Sequence, residues 1–338
     1  MTKYLLKRAA YMLGVLVVLS FLIYLIYNLI PVDKAADMAM QEIAANKNLI
    51  YAERYLYWQR KYGLDGNIFT RYMRWIGVAP FYDGAFNGLL QGNLGTSIVY
   101  GKPVAEVIKQ PLLNTMLLNV IATFLALALT LPLGVFCAVR KGSKRDFAVQ
   151  IGTVVGYSVP TFIIAILFIW LFAIQLDIFP VSGMSSVGAN YTGFRAFLDK
   201  LYHFCLPLLV MTFCSLGGMT RYVRASMLDA LQLDCVRTAR AKGLSERLVV
   251  RSHAWRNALI PIVALVIGWL VGIFSGSIMI ENVFGINGIG KVYFDALSSG
   301  DNEIALAMQM FYVFLALFGN LLVDIAYGFI DPRIRVAR

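Results

Sequence analysis

Six apolar runs leave this 338-residue chain few folds to choose from. They extend approximately from Ala9 to Ile30, Leu112 to Val139, Phe147 to Leu176, Leu201 to Thr220, Asn257 to Ile280 and Ile304 to Val323. Each reaches the roughly 20 residues that a helix needs to cross a ~30 Å hydrocarbon layer. In that layer the backbone has no water to bond to, so such runs are read as helices. With 59% apolar and only 14% charged residues, the chain also has too little polar surface to coat a soluble globule. The expectation is an all-α membrane protein with six transmembrane helices. The first run follows Lys3, Lys7 and Arg8, as the core of a signal peptide would. It is too long for one and no small-x-small cleavage site follows, so it is read as a retained anchor.

Orientation comes from the basic residues of the short connections. Arg140, Lys141, Lys144 and Arg145 crowd one of them, and the stretch from Arg221 to Arg256 holds seven Arg and Lys242. Both belong in the cytoplasm. The connections from Asp177 to Lys200 and from Glu281 to Glu303 are poor in bases and belong outside, which puts both termini in the cytoplasm. The chain then divides into an N-terminal tail and first span (1–30), a long extracytoplasmic loop or cap (31–111) and a five-helix core (112–338) that includes the cytoplasmic loop 221–256. The formal charge of +11 does not indicate nucleic acid, because the bases lie between apolar runs and not on a soluble module.

One stretch looks like a nucleotide site. In "ENVFGINGIGKVYF", Gly285, Gly290 and Lys291 have the spacing of a phosphate-cradling loop, but Val292 stands where a Ser or Thr hydroxyl would bind magnesium. The stretch also lies at the outer end of the fifth span, away from cytoplasmic ATP. It is read as a glycine-rich turn and not a nucleotide site, so energy for any transport would have to come from another subunit or an ion gradient. Cys137, Cys205, Cys214 and Cys235 form no C-x-x-C pair, and no metal, cofactor or disulfide framework is expected. His203 and His253 fall near span ends, where a surface or interfacial role is expected for each.

The cytoplasmic loop "DALQLDCVRTARAKGLSERLVVRSHAWRNALIPIV" carries the most information. Its first half lacks Gly and Pro and reads as a helical continuation of the fourth span. Gly243 ends that helix in a left-handed turn, Leu244 is placed to pack back on the preceding turn, and Ser245 is placed to cap the next helix. The second helix runs from Glu246 into the fifth span, where Pro261 removes a backbone donor. A connector that only satisfies charge asymmetry would hold the same arginines. The helix–Gly–helix design favours a docking elbow.

Here the residues resemble a family. "ARAKGLSERLVVRSHAWRNALIP" is similar to the EAA loop of ABC importer permeases, with Ala239 and Ala241 near its alanine positions, Gly243 at its glycine, and Leu259, Ile260 and Pro261 at its closing end. The closest resemblance is to the B-type subunit of the peptide and nickel group. "GNLGTS" (Gly92 to Ser97), "SVPTF" (Ser158 to Phe162), "FPVSG" (Phe179 to Gly183), "ENVFGINGIG" and "DPR" (Asp331 to Arg333) agree in order along the chain. Two features depart from the pattern: "PVDK" replaces the usual "PGDP" at Pro31 to Lys34, and Val78 to Leu90 looks inserted.

The resemblance implies a type I, MetI-like permease architecture in a bacterial or archaeal cell (inner) membrane, and a transport subunit without its own ATPase site, not an enzyme. Its partners would be a second homologous permease subunit, two cytoplasmic ATP-binding subunits, an extracytoplasmic substrate-binding protein and the surrounding lipid, with no nucleic acid and no cofactor. It implies that Ala239, Ala241, Gly243, Leu244, Arg237 and Arg240 couple the chain to an ATPase, and that the cargo is di- or oligopeptides. Nickel or oligosaccharide cargo is the alternative within the family. A secondary carrier or channel is the alternative outside it, and the absence of mid-span ionisable residues speaks against that. Ser158, Pro160, Thr161, Ser275 and Ser277 are candidates for lining the pathway, with packing through small residues left open beside it.

Overall fold

The computed structural model describes residues 2–31 and 33–330, so the "DPR" motif lies outside the described residues. Helices appear in the order α1 (Thr2–Leu29), α2 (Lys34–Ala45), α3 (Tyr51–Lys61), α4 (Ile68–Ile76), α5 (Val104–Val139), α6 (Lys144–Ser158) and α7 (Thr161–Phe168). They continue with α8 (Gly193–Leu231), α9 (Asp234–Ala241), α10 (Glu246–Leu248), α11 (Trp255–Gly272), α12 (Ile278–Val283), α13 (Ile289–Ser299) and α14 (Asn302–Ile330). Leu6–Leu29, Val104–Val139, Gly193–Leu231, Glu246–Gly272 and Asn302–Ala326 are each long and apolar enough to cross a membrane. A sixth span results if α6 and the stretch Thr161–Gln175 are counted as one broken crossing, bent by 104°.

That bend corrects the expected third span, which is two helices and not one. Val159 is extended at φ −86° and ψ 130°, the conformation that a following proline imposes, and Pro160 leads into α7 from outside it. The fifth span is also shorter than its apolar run. Its helix ends at Gly272, and the chain turns through residues 273–277 before α12.

The chain forms two compact units. The first is built mainly on Pro111–Lys291, and its spine is the 39-residue α8. Helix α6 lies so close to α8 that a Cβ on Gly217 would sit 2.4 Å from the Thr153 carbonyl oxygen, and one on Gly156 would sit 3.1 Å from that of Phe213. Such backbone approach through small residues is how helices associate where lipid removes the hydrophobic drive. Beside this seam, Asp146 is 1% exposed and accepts from Arg224 Nε and Nη2, each at 2.8 Å, and from the Gly142 amide at 2.9 Å. One core gathers Leu118, Ile164, Phe204 and Phe284, and a second gathers Met219, Val223, Met227, Val249 and Ile262. His203 is buried, which rules against the surface half of the surface-or-interfacial role expected of it, with its Nδ1 2.9 Å from the Asp199 carbonyl oxygen.

The second unit comprises Leu6–Gln110 and Val292–Leu317. Helices α2 to α4 order the long connection. Asp33 caps α2 by accepting from the amides of Ala35 and Ala36, both at 3.1 Å, and also accepts from the Tyr55 hydroxyl at 3.0 Å. In "GNLGTS", Ser97 Oγ donates to the buried Asp301 carboxylate. Gly95, at φ +86°, leaves room for Glu303, whose Oε2 would meet a Cβ there at 2.3 Å. The apparent insertion is anchored as well: Arg74 donates to the Pro80 carbonyl at 3.1 Å, and Gln91 to that of Gly77 at 3.1 Å.

The α6–α8 seam gives a controlled test. Gly217→Ala forces a methyl group onto backbone and should destabilise the detergent-solubilised protein by about 1–3 kcal/mol. Its neighbour Gly218 has nothing within 4 Å of the place a methyl group would take, so Gly218→Ala should leave the thermal midpoint unchanged or slightly raised. Equal midpoints for the two variants would contradict the seam.

Candidate functional site

The elbow between α8 and α11 is closed by backbone geometry. Gly243 has φ +76°, and its amide donates to the Arg240 carbonyl at 2.9 Å while the Leu244 amide reaches back to that of Ala239 at 3.3 Å. These two bonds form a Schellman motif, which satisfies carbonyls that a helix end would otherwise leave open. A left-handed residue with a side chain costs roughly 1–2 kcal/mol, which is why glycine suits the position. No atom lies within 4 Å of the place a Cβ would take there, so the constraint is the dihedral angle and not space.

Three details differ from the sequence reading. The first half of the loop is not continuous with α8, which ends at Leu231; Leu233 is extended at φ −64° and ψ 146°, and α9 starts at Asp234. The break turns Val236 and Ala239 inward, where they join Met227, Ala230, Val249 and Ala254 in a buried cluster. Tertiary packing here overrides a helix-favouring composition. Ser245 occupies the cap position before α10 without a side-chain bond to the helix, whose first turn is held by its carbonyl, accepting from Leu248 at 2.9 Å and Val249 at 3.0 Å. From α10 the chain passes through a π-helical turn, Val249–Ala254, into α11. That turn admits an extra residue and rotates the faces on either side of it.

The elbow's two faces sort the candidate coupling residues. Ala239 is 4% exposed and belongs to the inner face. Arg237, Arg240, Ala241, Gly243 and Leu244 are on the outer face, joined by Leu233 and Leu248, which the sequence reading did not single out. Arg240 does not point away for a partner: its Nη2 and Nε donate to Glu246 at 2.6 and 3.1 Å, across the Gly243 turn. The guanidinium beside Glu246 holds that carboxyl below its usual range, and the carboxylate raises Arg240 in turn. Among the described residues, Arg237 reaches only Asp234, at 3.5 Å. The outer face therefore presents exposed leucines around a turn braced by an ion pair.

The glycine-rich stretch is a cradle for a carboxylate of its own chain. Glu281 is 1% exposed and accepts from Thr115 Oγ1 at 2.9 Å, the Lys291 amide at 2.8 Å and the Ser277 amide at 3.3 Å. Burial pushes this carboxyl up from its ordinary value, against the pull of the Lys291 amide and the Thr115 hydroxyl. A Cβ on Gly288 would lie 2.3 Å from Glu281 Cδ, and one on Gly276 would lie 2.1 Å from the Gly290 nitrogen. Gly285 turns the chain at φ +63°. The donors that a phosphate loop would offer a nucleotide are directed here at Glu281.

Both groups of candidate pathway residues mark helix breaks. Ser158 and Pro160 are at the α6–α7 bend, Pro160 exposed, with Thr161 partly buried beside them. Ser275 and Ser277 lie after α11 and not in it. Asn119 on α5 donates from Nδ2 to the carbonyls of Ile273 and Ser275, at 3.0 and 2.8 Å. No hydrogen bond joins the two groups among the described residues. Asn114, Thr115 and Asn119 were missed from sequence, although three polar residues within the apolar run that forms α5 are a readable signal.

Residues 130–336 match the family described as "Binding-protein-dependent transport system inner membrane component". The chain is 32% identical to the oligopeptide transport system permease protein AppB of Bacillus subtilis over 335 residues, covering 99% of each chain. It is 31% identical to the dipeptide transport system permease protein DppB of Escherichia coli K12, again covering 99% of each. Among solved structures, the inward-facing MetNI methionine ABC transporter aligns with a TM-score of 0.47 and 16% identity, over 64% of this chain and 95% of that one. The chain belongs to the family of binding-protein-dependent transport system inner membrane components.

Proposed function

We propose that this chain is the permease subunit of an ATP-driven importer of di- and oligopeptides. The observation that carries the reading is end-to-end likeness to permeases named for oligopeptide and dipeptide transport. In the proposed assembly it forms half of the pathway with a second homologous permease, receives cargo from an extracytoplasmic binding protein and rests on two cytoplasmic ATPases. Both termini and the elbow lie in the cytoplasm, and the connection between α1 and α5 lies outside. The chain has no ATPase site of its own. Its phosphate-loop lookalike lacks the metal-binding hydroxyl, and its amides serve Glu281.

The elbow supports coupling by shape. Leu244 is 37% exposed and Leu248 45% exposed, both close to the Gly243 turn, and they would enter a cleft on the ATPase. Behind them Val236, Ala239 and Val249 tie the elbow to α8, so a push on the leucines is delivered to the spans. Charge contributes less, since an exposed ion pair is worth about 0.2–1 kcal/mol.

Uptake of labelled Ala-Phe-Ala by proteoliposomes holding the full importer, with its binding protein outside and ATP inside, tests the reading; ATP-independent uptake, or none, contradicts it. Gly243→Val should insert normally but lose ATPase co-purification or uncouple hydrolysis from uptake. The strain involved is about 1–2 kcal/mol at the position that aims Leu244. Arg240→Ala should retain most uptake, and the reverse ranking would show that charge carries the coupling. Lys291→Ala should leave ATP hydrolysis by the complex unchanged, whereas its loss would place a nucleotide on this subunit.

A further inference from the structure

The second unit encloses a cavity of about 830 Å³ that the elbow and the glycine cradle do not use. Its size falls within the roughly 300–1,000 Å³ usual for small-molecule sites. Its walls mix polar groups with aromatic rings, Tyr24, Tyr62 and Trp75 among them. Lys34 also lines it, only 9% exposed, with its ammonium 2.7 Å from Glu303 Oε1, 3.2 Å from the Thr96 carbonyl oxygen and 4.1 Å from the centre of the Tyr62 ring. Burial pushes the Tyr62 phenol up to about 12, so the ring stays neutral. The charge of Lys34 is thus met within the protein.

Arg71 is different. It lines the same cavity, and only its Nε is engaged, donating to the Gly66 carbonyl at 3.2 Å; its two terminal nitrogens have no partner among the described residues. A guanidinium fork with both arms open is shaped for bidentate contact with a carboxylate. The acids lining the cavity are committed or turned to other work. Glu303 holds Lys34, Asp33 caps α2, and Asp83 accepts from the Ala85 amide at 3.0 Å. The cavity therefore offers aromatic residues for an apolar side chain and a guanidinium with open arms for an anionic end, with Lys61, whose ammonium lies over the Tyr57 and Trp58 rings, as a second lining cation.

We propose that this cavity is a binding site for a short peptide with a free C-terminal carboxylate, held by the Arg71 fork with an apolar side chain among the aromatic residues of the wall. The proposal rests on the peptide-import reading and goes beyond it, because it gives the permease subunit its own peptide site, separate from the binding protein. An oligosaccharide would find aromatic faces there but would leave the Arg71 charge unanswered. A segment of a partner protein could meet Arg71 only through an Asp or Glu side chain, and would show no preference between a free peptide acid and its amide.

The test uses the complete permease–ATPase complex in nanodiscs without the binding protein, titrated calorimetrically with Ala-Phe-Ala and with its C-terminal amide. The free acid should bind about tenfold or more tightly than the amide, as expected for losing a charge-assisted bidentate contact. Arg71→Ala should bring the acid down to the level of the amide, and Arg71→Lys should recover only part of the difference. Thermal midpoints and basal ATP hydrolysis of the Arg71 variants should match the wild-type complex, which guards against a fold defect in them. Equal binding of acid and amide by the wild type, no binding of either, or preference for maltotriose would overturn the proposal. Peptide uptake by the full importer, measured in parallel, separates that failure from failure of the import reading: uptake without a cavity site leaves the import reading standing.

Discussion

A chain that crosses hydrocarbon cannot leave a peptide group unpaired, and the breaks in the first unit's helices follow from that constraint. Where α11 ends at Gly272, Asn119 takes up the Ile273 and Ser275 carbonyls. Where the chain returns through the glycine-rich stretch, Glu281 takes up the Ser277 and Lys291 amides. Where α5 gives way to α6, Asp146 takes up the Gly142 amide and is itself neutralised by Arg224. Polar side chains that look out of place in an apolar sequence are the closures of its helix ends.

The elbow obeys the same constraint without a side chain, through the Schellman bonds around Gly243. Closure by backbone leaves the outer surface free to present Leu244 and Leu248, while the inner surface is filled by Val236, Ala239 and Val249. The Arg240–Glu246 pair spans the turn. In the proposed importer, these three features let the elbow pass a displacement of the ATPase to α8 and α11 as one body. That is the rigid rocking by which transporters alternate between their two open states.

Much of this is legible in the sequence. The long apolar runs locate the spans, because hydropathy records the one requirement every crossing shares. Gly243 is legible because a glycine between two helix-forming segments has few other uses. The break at Leu233 is not legible, since no Gly or Pro marks it; it exists because Val236 and Ala239 gain burial against helices distant in sequence. The split of the third span is half legible: Pro160 announces a kink, but only packing sets its size at 104°. The glycine-rich stretch shows the opposite error, in which a local pattern suggests phosphate and the tertiary partner is Glu281. Arg240 suggests an outward contact because charge reads as surface, yet its partner stands six residues away on the far side of the turn.

The central claim is that the elbow moves without bending. Spin labels at Ala241→Cys and Arg251→Cys, both exposed and on opposite sides of the Gly243 turn, measure this in the assembled importer once the exposed Cys235 is replaced by Ser. The distance between the labels should be the same in the nucleotide-free complex and in the ATP-trapped complex, with equally narrow distributions. A shift or broadening of that distance on trapping ATP would mean that the turn flexes, and that coupling does not run through a rigid elbow.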